Sequence, residues 1–379
     1  MLAATKPRPG LPADTAVLRP LLDEFGDADL PSPQGTSSRA TTQQRRQSTR
    51  CMVYTLSHIG ITCVTSFAAN PRDEEKVDRN PGHPAFGAGK LGDGLGQRSG
   101  TGPFFQYPST IGRLQLRDMD LAGKVAVVTG GTKGVGRGVA RELSAHAARV
   151  FITGRSVSEH EQIDGRITGF RCDHRIDTQV EAAFHSIVSE AKTVDVLVNN
   201  VWGGYDGMIE NGDFTWPKPF WEQPLWRWDA MFGAGVRAHY YATQLAAPAM
   251  IAQRRGLIVN ISFWAAQKYI GNVAYGVSKA ATDKMTADMA AELKPHGVAV
   301  VSLYPGLVRT ERVMEAAQYL DLSNSESPEF IGRAVAALAA DPDVVRYTGS
   351  VLVAASLAKE YGFADIDGKT PRPLRLTDV

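Results

Sequence analysis

The feature that most constrains this chain is a regular alternation of short β-branched runs with longer helix-type patterns, which begins near Leu121. Runs of strand type lie at residues 124–129, 149–153, 168–172, 194–199, 257–262, 299–304 and 350–354. Helix-type patterns lie at residues 135–147, 177–192, 226–253, 273–294 and 328–340. Such alternation is typical of a parallel sheet that helices cover on both faces. The sequence therefore predicts an α/β fold with one doubly wound, seven-stranded parallel sheet of Rossmann type.

The first third of the chain lacks this alternation. Residues 1–117 contain Pro, Gly, Ser and Arg without a period, and a glycine-rich stretch covers residues 87–102. This composition buries too little apolar surface to offset chain entropy, so we expect a disordered, low-complexity extension before a single catalytic domain at residues 118–379. Two alternatives stay open. The extension could be a transit peptide, although its acidic residues argue against one, or the functional protein could begin at Met119.

Charge and cysteine content argue against several classes of partner. The chain has 41 basic and 40 acidic residues, so its net charge of +1 gives no general reason to expect nucleic acid or an anionic membrane. Its three cysteines fit neither a disulfide framework nor a zinc site, and we expect no metal. A reduced, cytoplasmic location is the simplest interpretation. Residues 52–69, the most apolar part of the extension, are too polar for a membrane span.

A glycine-rich turn follows the first predicted strand. It reads Thr-Gly-Gly-Thr-Lys-Gly-Val-Gly over residues 129–136 and opens a predicted helix. Glycine permits a sharp turn and a close approach of the backbone to a pyrophosphate, whose charge a helix N-terminus stabilises. In this position between strand and helix the turn predicts a dinucleotide site that includes Thr129, Gly130, Thr132, Lys133, Gly134, Val135 and Gly136.

The end of the second predicted strand indicates which dinucleotide binds. An acidic residue there would hold the ribose hydroxyls of NAD, whereas this chain has Arg155. Arg155 and Lys133 could both pair with a 2′-phosphate, although surface cations of no special role are common. We therefore expect NADP(H) to be preferred and NAD(H) to remain possible. Asp173 and Asn199, which end the next two predicted strands, are further candidates for cofactor contacts, and a turn or capping role explains either one equally well.

Tyr275 and Lys279 lie four residues apart, on one face of a predicted helix. A neighbouring ammonium favours a phenolate, so we expect Lys279 to lower the pKa of Tyr275 towards neutrality and to hydrogen-bond the nicotinamide ribose. Ser262 stands at the end of the fifth predicted strand, 13 residues before Tyr275, where it could hydrogen-bond the substrate oxygen. Together these residues predict hydride transfer between a nicotinamide and a carbonyl or alcohol, with Tyr275 exchanging the proton.

At this point the chain resembles the short-chain dehydrogenase/reductase family, over residues 120–362. The residues that carry the resemblance are the glycine turn, Asp173, the pair Asn199-Asn200, the segment 260–262, Tyr275, Lys279, the Tyr-Pro-Gly turn at 304–306 and Thr310. The resemblance implies an oxidoreductase in which Pro305, Gly306, Val308 and Thr310 hold the nicotinamide carboxamide. It also implies a homodimer or homotetramer built on the predicted helices 226–253 and 273–294.

Three shorter segments, at 218–222, 237–240 and 269–273, resemble most closely one branch of the family, the dehydrogenase/reductase member-one type. That branch is thought to reduce assorted carbonyl compounds, so the resemblance leaves the substrate open.

The chain departs from the family pattern at three positions. Trp202 replaces the glycine of the usual Asn-Asn-Ala-Gly segment, which puts a large ring beside the nicotinamide. Gly235 stands where spacing would put an asparagine that often relays protons through water. Phe263 stands where the second serine of the usual pair would fall, while the spacing to Tyr275 favours Ser262 as the functional serine.

All six tryptophans fall between residues 202 and 264. Packing of an irregular insertion explains most of them, but their concentration suggests that some line an apolar pocket for a hydrophobic carbonyl substrate. Residues 307–327 are a candidate lid or an ordinary loop. Two other functions stay open: a nucleotide-binding regulator or scaffold with little turnover, and an epimerase or dehydratase acting on nucleotide sugars. The few residues that follow Gly306 argue against the latter.

Overall fold

The structure is a computed structural model that describes residues 119–379, except 159–160, 206–207, 211–212 and 316. The extension expected at residues 1–117 lies outside this part of the chain. The strands are β1 Val125–Thr129, β2 Arg149–Gly154, β3 Glu161–Gln162, β4 Ile167–Arg171, β5 Val196–Asn199, β6 Ile209–Glu210, β7 Asp213–Phe214, β8 Gly256–Ile261, β9 Val298–Tyr304 and β10 Val351–Val353.

The predicted sheet is confirmed. Its strands lie in the order β10-β9-β8-β5-β1-β2-β4-β3, and every neighbouring pair is parallel except β3 with β4. The seven predicted strands are therefore all present, and the short antiparallel β3 is an eighth that the sequence did not indicate. Two residues are too few to show a strand period, and the same reason explains why the separate β6–β7 hairpin was missed.

The helices are α1 Gly134–Ala145, α2 Asp177–Ala191, α3 Leu225–Met231, α4 Ala238–Gln253, α5 Val273–Leu293, α6 Glu311–Glu315, α7 Pro328–Ala340 and α8 Ala354–Tyr361. The single helix predicted at residues 226–253 is wrong in one respect. A π-helical segment, Phe232–Arg237, separates α3 from α4, and it contains Gly233 and Gly235. Such segments are rare and frequently mark functional sites.

Apolar side chains cover both faces of the sheet, as its continuously buried strands require. Residues of α1, α7 and α8 form the core on one face, and residues of α2, α4 and α5 form it on the other. Within the described part of the chain, no helix is long and apolar enough to cross a membrane.

The parallel arrangement brings the carboxyl ends of four neighbouring strands, β1, β5, β8 and β9, to one edge of the sheet. The glycine turn, Asn200, Ser262 and Pro305 follow these strands directly. Ligands of doubly wound folds bind in the crevice outside this edge, so the candidate site is built there.

Candidate active site

The glycine turn after β1 has the conformation that its sequence predicts. Gly130 and Gly134 have φ angles of +66° and +52°, in the left-handed region that favours glycine. A Cβ atom on Gly136 would lie 2.4 Å from the carbonyl oxygen of Gly130, so only glycine fits there. The Asn200 side chain donates to the carbonyl oxygens of Thr129 and Gly130, at 3.2 and 3.1 Å. Asn200 therefore holds the turn, a role that its place in the sequence did not indicate.

An anionic group contacts the turn. The amide of Gly134 donates to a carboxylate oxygen of Glu311 at 3.0 Å, and the Arg137 guanidinium pairs with the same carboxylate. This carboxylate shows that the N-terminus of α1 accepts negative charge, as a pyrophosphate would require. The Thr310 methyl group lies 3.3 Å from the position that a Cβ on Gly134 would take, so the loop after β9 closes over the turn.

The two cations expected to select NADP(H) are carried by adjacent segments. Ser156 donates to the Thr132 hydroxyl at 3.2 Å, which joins the end of β2 to the glycine turn. Arg155 and Lys133, the neighbours of these two residues in the sequence, are both exposed. The structure thus brings together the segments that carry both cations, at the position where an adenosine ribose would lie in this fold.

Asp173 and Asn199 have partners within the protein. Arg175 makes two side-chain hydrogen bonds to Asp173, at 3.0 and 2.6 Å, and it lowers the pKa of that carboxyl to about 2. The Asn199 amide is buried and donates to Thr243 and Asn260, at 2.9 and 2.8 Å. Asn199 therefore links β5 to α4 and β8 by buried hydrogen bonds, whereas Asn200 contacts the glycine turn.

The loop that follows β9 contains Pro305, Gly306 and Val308. The amide of Gly306 donates to a carboxylate oxygen of Glu326 at 2.7 Å, and Val308 pairs with the Glu326 backbone in an isolated parallel bridge. Burial raises the pKa of the Glu326 carboxyl to about 8. Because Thr310 lies against the glycine turn, this loop is held between Glu326 on one side and the dinucleotide turn on the other.

Tyr275 and Lys279 lie in the first two turns of α5, and both are buried. Asn272 caps this helix, since its side-chain oxygen accepts from the amide of Tyr275 at 3.0 Å. The Lys279 amine donates to the carbonyl oxygen of Ile261 at 3.3 Å. Burial lowers the pKa of Lys279 to about 8. The cap and the Ile261 bond thus fix both residues at the carboxyl edge of the sheet.

The expected effect of Lys279 on Tyr275 is not found. Burial raises the pKa of the Tyr275 phenol well above its ordinary value, and Tyr205 raises it further. The Lys279 amine lies 4.1 Å from the ring centroid of Trp202 and 5.8 Å from that of Tyr275, so its charge faces the indole. The predicted lowering is wrong for this arrangement, because desolvation exceeds the influence of the ammonium. Tyr275 keeps its proton at neutral pH.

The Ser262 hydroxyl has its partners on α5. It donates to the carbonyl oxygen of Lys279 at 3.4 Å and also interacts with Asp283. Among the described residues, no hydrogen bond joins Ser262 to Tyr275. The next residue, Phe263, faces the phenol instead, with its ring centroid 6.2 Å from that of Tyr275. Ser262 is thus held towards α5 in this arrangement, and its expected hydrogen bond to the substrate oxygen stays a prediction.

Aromatic rings surround Tyr275. We call the four residues Trp202, Tyr205, Trp216 and Phe263 the aromatic cluster; their ring centroids lie 5.8, 6.4, 5.4 and 6.2 Å from that of Tyr275. Two of the six tryptophans thus contribute to the site, whereas Trp221 is largely exposed and Trp264 packs on Tyr304. Nothing in the local pattern distinguished Tyr205 beforehand, because its contact with Tyr275 spans 70 positions of the sequence.

Comparison with known proteins agrees with this geometry. The family model for short chain dehydrogenase matches residues 124–320, more than half of the chain. The chain belongs to the short-chain dehydrogenase family. It is 39% identical over 270 residues to Dehydrogenase/reductase SDR family member 1 of Mus musculus, which covers 66% of this chain and 85% of the relative. The Homo sapiens protein of the same name is 37% identical over 268 residues, or 65% and 84% of the two chains.

The likeness extends to solved structures and to more distant relatives. A solved structure described as a short chain dehydrogenase/reductase family protein has a TM-score of 0.52 and 34% identity, and it covers 62% of this chain and 97% of its own. The 3-oxoacyl-[acyl-carrier-protein] reductase FabG of Aquifex aeolicus is 30% identical over 203 residues, or 51% and 77% of the two chains. Membership of this oxidoreductase family implies the use of an NAD(P) cofactor, which the anion-accepting glycine turn fits.

One departure from the short-chain dehydrogenase pattern now has a physical reason. A Cβ atom on Gly235 would lie 2.7 Å from the Cζ3 atom of Trp202, and a Cβ on Gly204 would lie 2.7 Å from Cζ2 of the same ring. The indole therefore occupies the space that an asparagine side chain at position 235 would need. Trp202 and Gly235, two of the departures noted in the sequence, therefore lie side by side.

Proposed function

We propose that this protein is an NADP(H)-dependent reductase of hydrophobic carbonyl compounds, with Tyr275 as the proton donor. The observation that carries the proposal is the buried Tyr275 phenol at the carboxyl edge of the sheet, which retains its proton and has the Lys279 amine on the next helical turn. A protonated phenol suits reduction, in which the substrate oxygen gains a proton. The dinucleotide, when bound, supplies the hydride.

The remaining residues of the chain have separate tasks in this proposal. Thr132, Val135 and the glycines of the turn hold the pyrophosphate, and Lys279 orients the nicotinamide ribose. The loop with Pro305, Gly306, Val308 and Thr310 holds the carboxamide. The aromatic cluster excludes water from the phenol and gives the substrate an apolar surface, which supports a hydrophobic substrate.

The Tyr275 assignment is tested by following NADPH absorbance with a panel of ketones, quinones and aldehydes. We expect Tyr275→Phe to lower kcat by at least about 10²-fold, because general acid catalysis contributes roughly 10²–10⁴-fold. Tyr269→Phe is the matched control, since Tyr269 is 59% exposed and lies outside the aromatic cluster. Equal rates for Tyr275→Phe and the wild type would contradict the assignment.

A second candidate function is nucleotide binding with little turnover, and one observation favours it. The Trp202 indole fills the place of the usual relay asparagine, so the family's water-mediated proton route has no counterpart at Gly235. The same assay separates the two candidates. Tight NADPH binding by the wild type, with no carbonyl of the panel reduced, would favour the binding-only function.

Preference for NADP(H) is tested at Arg155. We expect Arg155→Asp to shift the ratio of kcat/KM from NADPH towards NADH by at least about tenfold, because a guanidinium pairs with a 2′-phosphate and a carboxylate repels it. Lys359→Asp, on the exposed surface of α8, reverses the same charge outside the turn. An unchanged cofactor ratio would refute the role of Arg155, even if overall activity fell.

Assembly of two or four copies through α4 and α5 also belongs to the proposal. Tyr240 on α4 and Val277 on α5 are apolar residues that remain exposed on these helices. Light scattering during size-exclusion chromatography measures the mass directly. A single mass of about one chain across the working concentration range would contradict this part of the proposal.

A further inference from the structure

Reduction of a carbonyl places negative charge on the substrate oxygen, and a single hydrogen-bond donor stabilises only part of that charge. A second hydrogen-bond donor beside the acid therefore accelerates the step, as in oxyanion holes. Ser262 does not supply this donor here, since its hydroxyl donates to the carbonyl oxygen of Lys279. Phe263, which faces the phenol in its place, carries no polar atom. The proposed reaction thus needs a donor from another element.

The Tyr205 hydroxyl lies 3.5 Å from the Tyr275 hydroxyl. Two oxygens at this separation can both lie about 2.8 Å from one carbonyl oxygen, which is an ordinary O–H···O distance. A carbonyl oxygen has two lone pairs, so it can accept from both phenols at once. In the structure the Tyr205 hydroxyl donates to that of Tyr275. When a carbonyl oxygen binds beside both, Tyr205 can donate to it instead, so that the two hydroxyls act as a pair of donors.

Several contacts hold Tyr205 in this position. Its ring lies 6.0 Å from that of Trp202 and 5.7 Å from that of Trp216, measured between centroids. The Arg312 guanidinium of α6 donates to the carbonyl oxygen of Tyr205 at 2.8 Å. Gly204 allows the chain to pass close to the Trp202 ring, where a Cβ would clash. Side chain and backbone are thus both fixed, as a positioned donor requires.

We propose that Tyr205 is a second catalytic hydroxyl, which donates a hydrogen bond to the substrate carbonyl oxygen in the place that the family gives to serine. This inference rests on the proposed function. In the step, hydride forms a C–H bond with the carbonyl carbon while NADPH is oxidised to NADP⁺. The C=O π pair takes the proton of Tyr275, and the phenolate regains a proton from solvent after the product has left the site. Tyr205 keeps its own proton throughout and stabilises the developing charge.

The surroundings of Tyr205 agree with this role. Burial of its hydroxyl end raises the pKa of Tyr205 above the ordinary value, so it remains a donor at neutral pH. The side chain as a whole is 40% exposed, which places it at the boundary between the aromatic cluster and solvent.

The test compares four single variants with the wild type: Tyr205→Phe, Ser262→Ala, Tyr275→Phe and the control Tyr269→Phe. Steady-state rates are measured with NADPH and two carbonyl probes, 4-nitrobenzaldehyde and 9,10-phenanthrenequinone. The dissociation constant of NADPH, measured by fluorescence, verifies that each variant is folded. We expect Tyr205→Phe to lower kcat by about 10²-fold, the loss typical of one donor to an oxyanion, with KM changed by less than about threefold. Ser262→Ala should lose less kcat than Tyr205→Phe.

Each other outcome overturns a distinct statement. If the wild type is active and Tyr275→Phe is not, but Tyr205→Phe matches Tyr269→Phe, the role of Tyr205 is refuted and the proposed function stands. If Ser262→Ala loses more kcat than Tyr205→Phe while binding NADPH normally, serine is the second donor after all. If the wild type binds NADPH and reduces neither probe nor any carbonyl of the wider panel, the proposed function and the role of Tyr205 both fail.

Discussion

Glu311 contacts the glycine turn that, on the proposed function, binds the cofactor's pyrophosphate, and this leads to a quantitative prediction. Its carboxylate accepts from the amide of Gly134 at 3.0 Å and pairs with Arg137. A pyrophosphate needs the same N–H group and the same positive helix end. The two anions therefore compete, and Glu311→Gln should tighten the binding of NADPH, because a neutral amide is displaced more easily and does not repel the phosphates.

The size of the effect follows from the exposure of the pair. The side chains of Arg137 and Glu311 are 46% and 43% exposed, so solvent screens their attraction, and such pairs contribute about 0.2–1 kcal/mol. The glutamine can still accept from Gly134, so only the charge-assisted part of that bond is lost. We expect a total of about 1 kcal/mol, which corresponds to a roughly fivefold lower dissociation constant. The gain should shrink as salt rises, because screening weakens the repulsion.

The assay is titration of NADPH at low and high ionic strength, followed by fluorescence or calorimetry. Glu315→Gln is the matched control, since Glu315 is exposed and ends the same short helix, α6. It removes the same charge without touching the turn. The reasoning is refuted if the dissociation constant of Glu311→Gln is unchanged or higher than that of the wild type. An equal gain in NADPH affinity for Glu315→Gln would show a general effect of charge, and it would also refute competition at the turn.

Three further predictions concern Trp202, Glu326 and Lys279. Gly235→Asn should destabilise the protein by about 1–3 kcal/mol through overpacking against the Trp202 indole. Trp202→Ala is itself destabilising, but the double variant should lose at least about 0.5 kcal/mol less than the sum of the two single losses; strictly additive losses in thermal unfolding would contradict the shared space. Burial raises the pKa of Glu326 from 4.5 to about 8, so its contribution to stability is full below pH 4.5 and is lost as the pH rises to 8. The free energy of unfolding of Glu326→Gln should therefore rise by up to about 4 kcal/mol relative to the wild type between these pH values. A difference between the two proteins that does not change with pH would contradict this. As burial lowers the pKa of Lys279 to about 8, kcat/KM should fall above about pH 8, and a flat profile to pH 10 would argue against a charged amine.

Much of the fold was readable from local patterns. The sequence predicts each of the seven parallel strands from a short run rich in β-branched residues, and it predicts their parallel pairing from the helices between them. Features without such a pattern were missed: the two-residue strand β3, the β6–β7 hairpin, and the π-helical segment inside the predicted helix 226–253. These elements form through hydrogen bonds to segments that are neighbours in space. The two-residue period of a strand and the 3.6-residue period of a helix carry no information about such neighbours.

For the site, the sequence by itself determined the glycine turn and the four-residue spacing of Tyr275 and Lys279, because both are properties of neighbouring residues. Only the tertiary structure decided the direction of the pKa shift of Tyr275, since burial comes from rings on other segments. The same holds for Glu311 at the turn, 177 positions from Gly134, and for the choice between Ser262 and Phe263 as the side chain that faces the phenol. Distant contacts of this kind arise when loops at one sheet edge pack together, and their strength depends on desolvation that no local motif specifies.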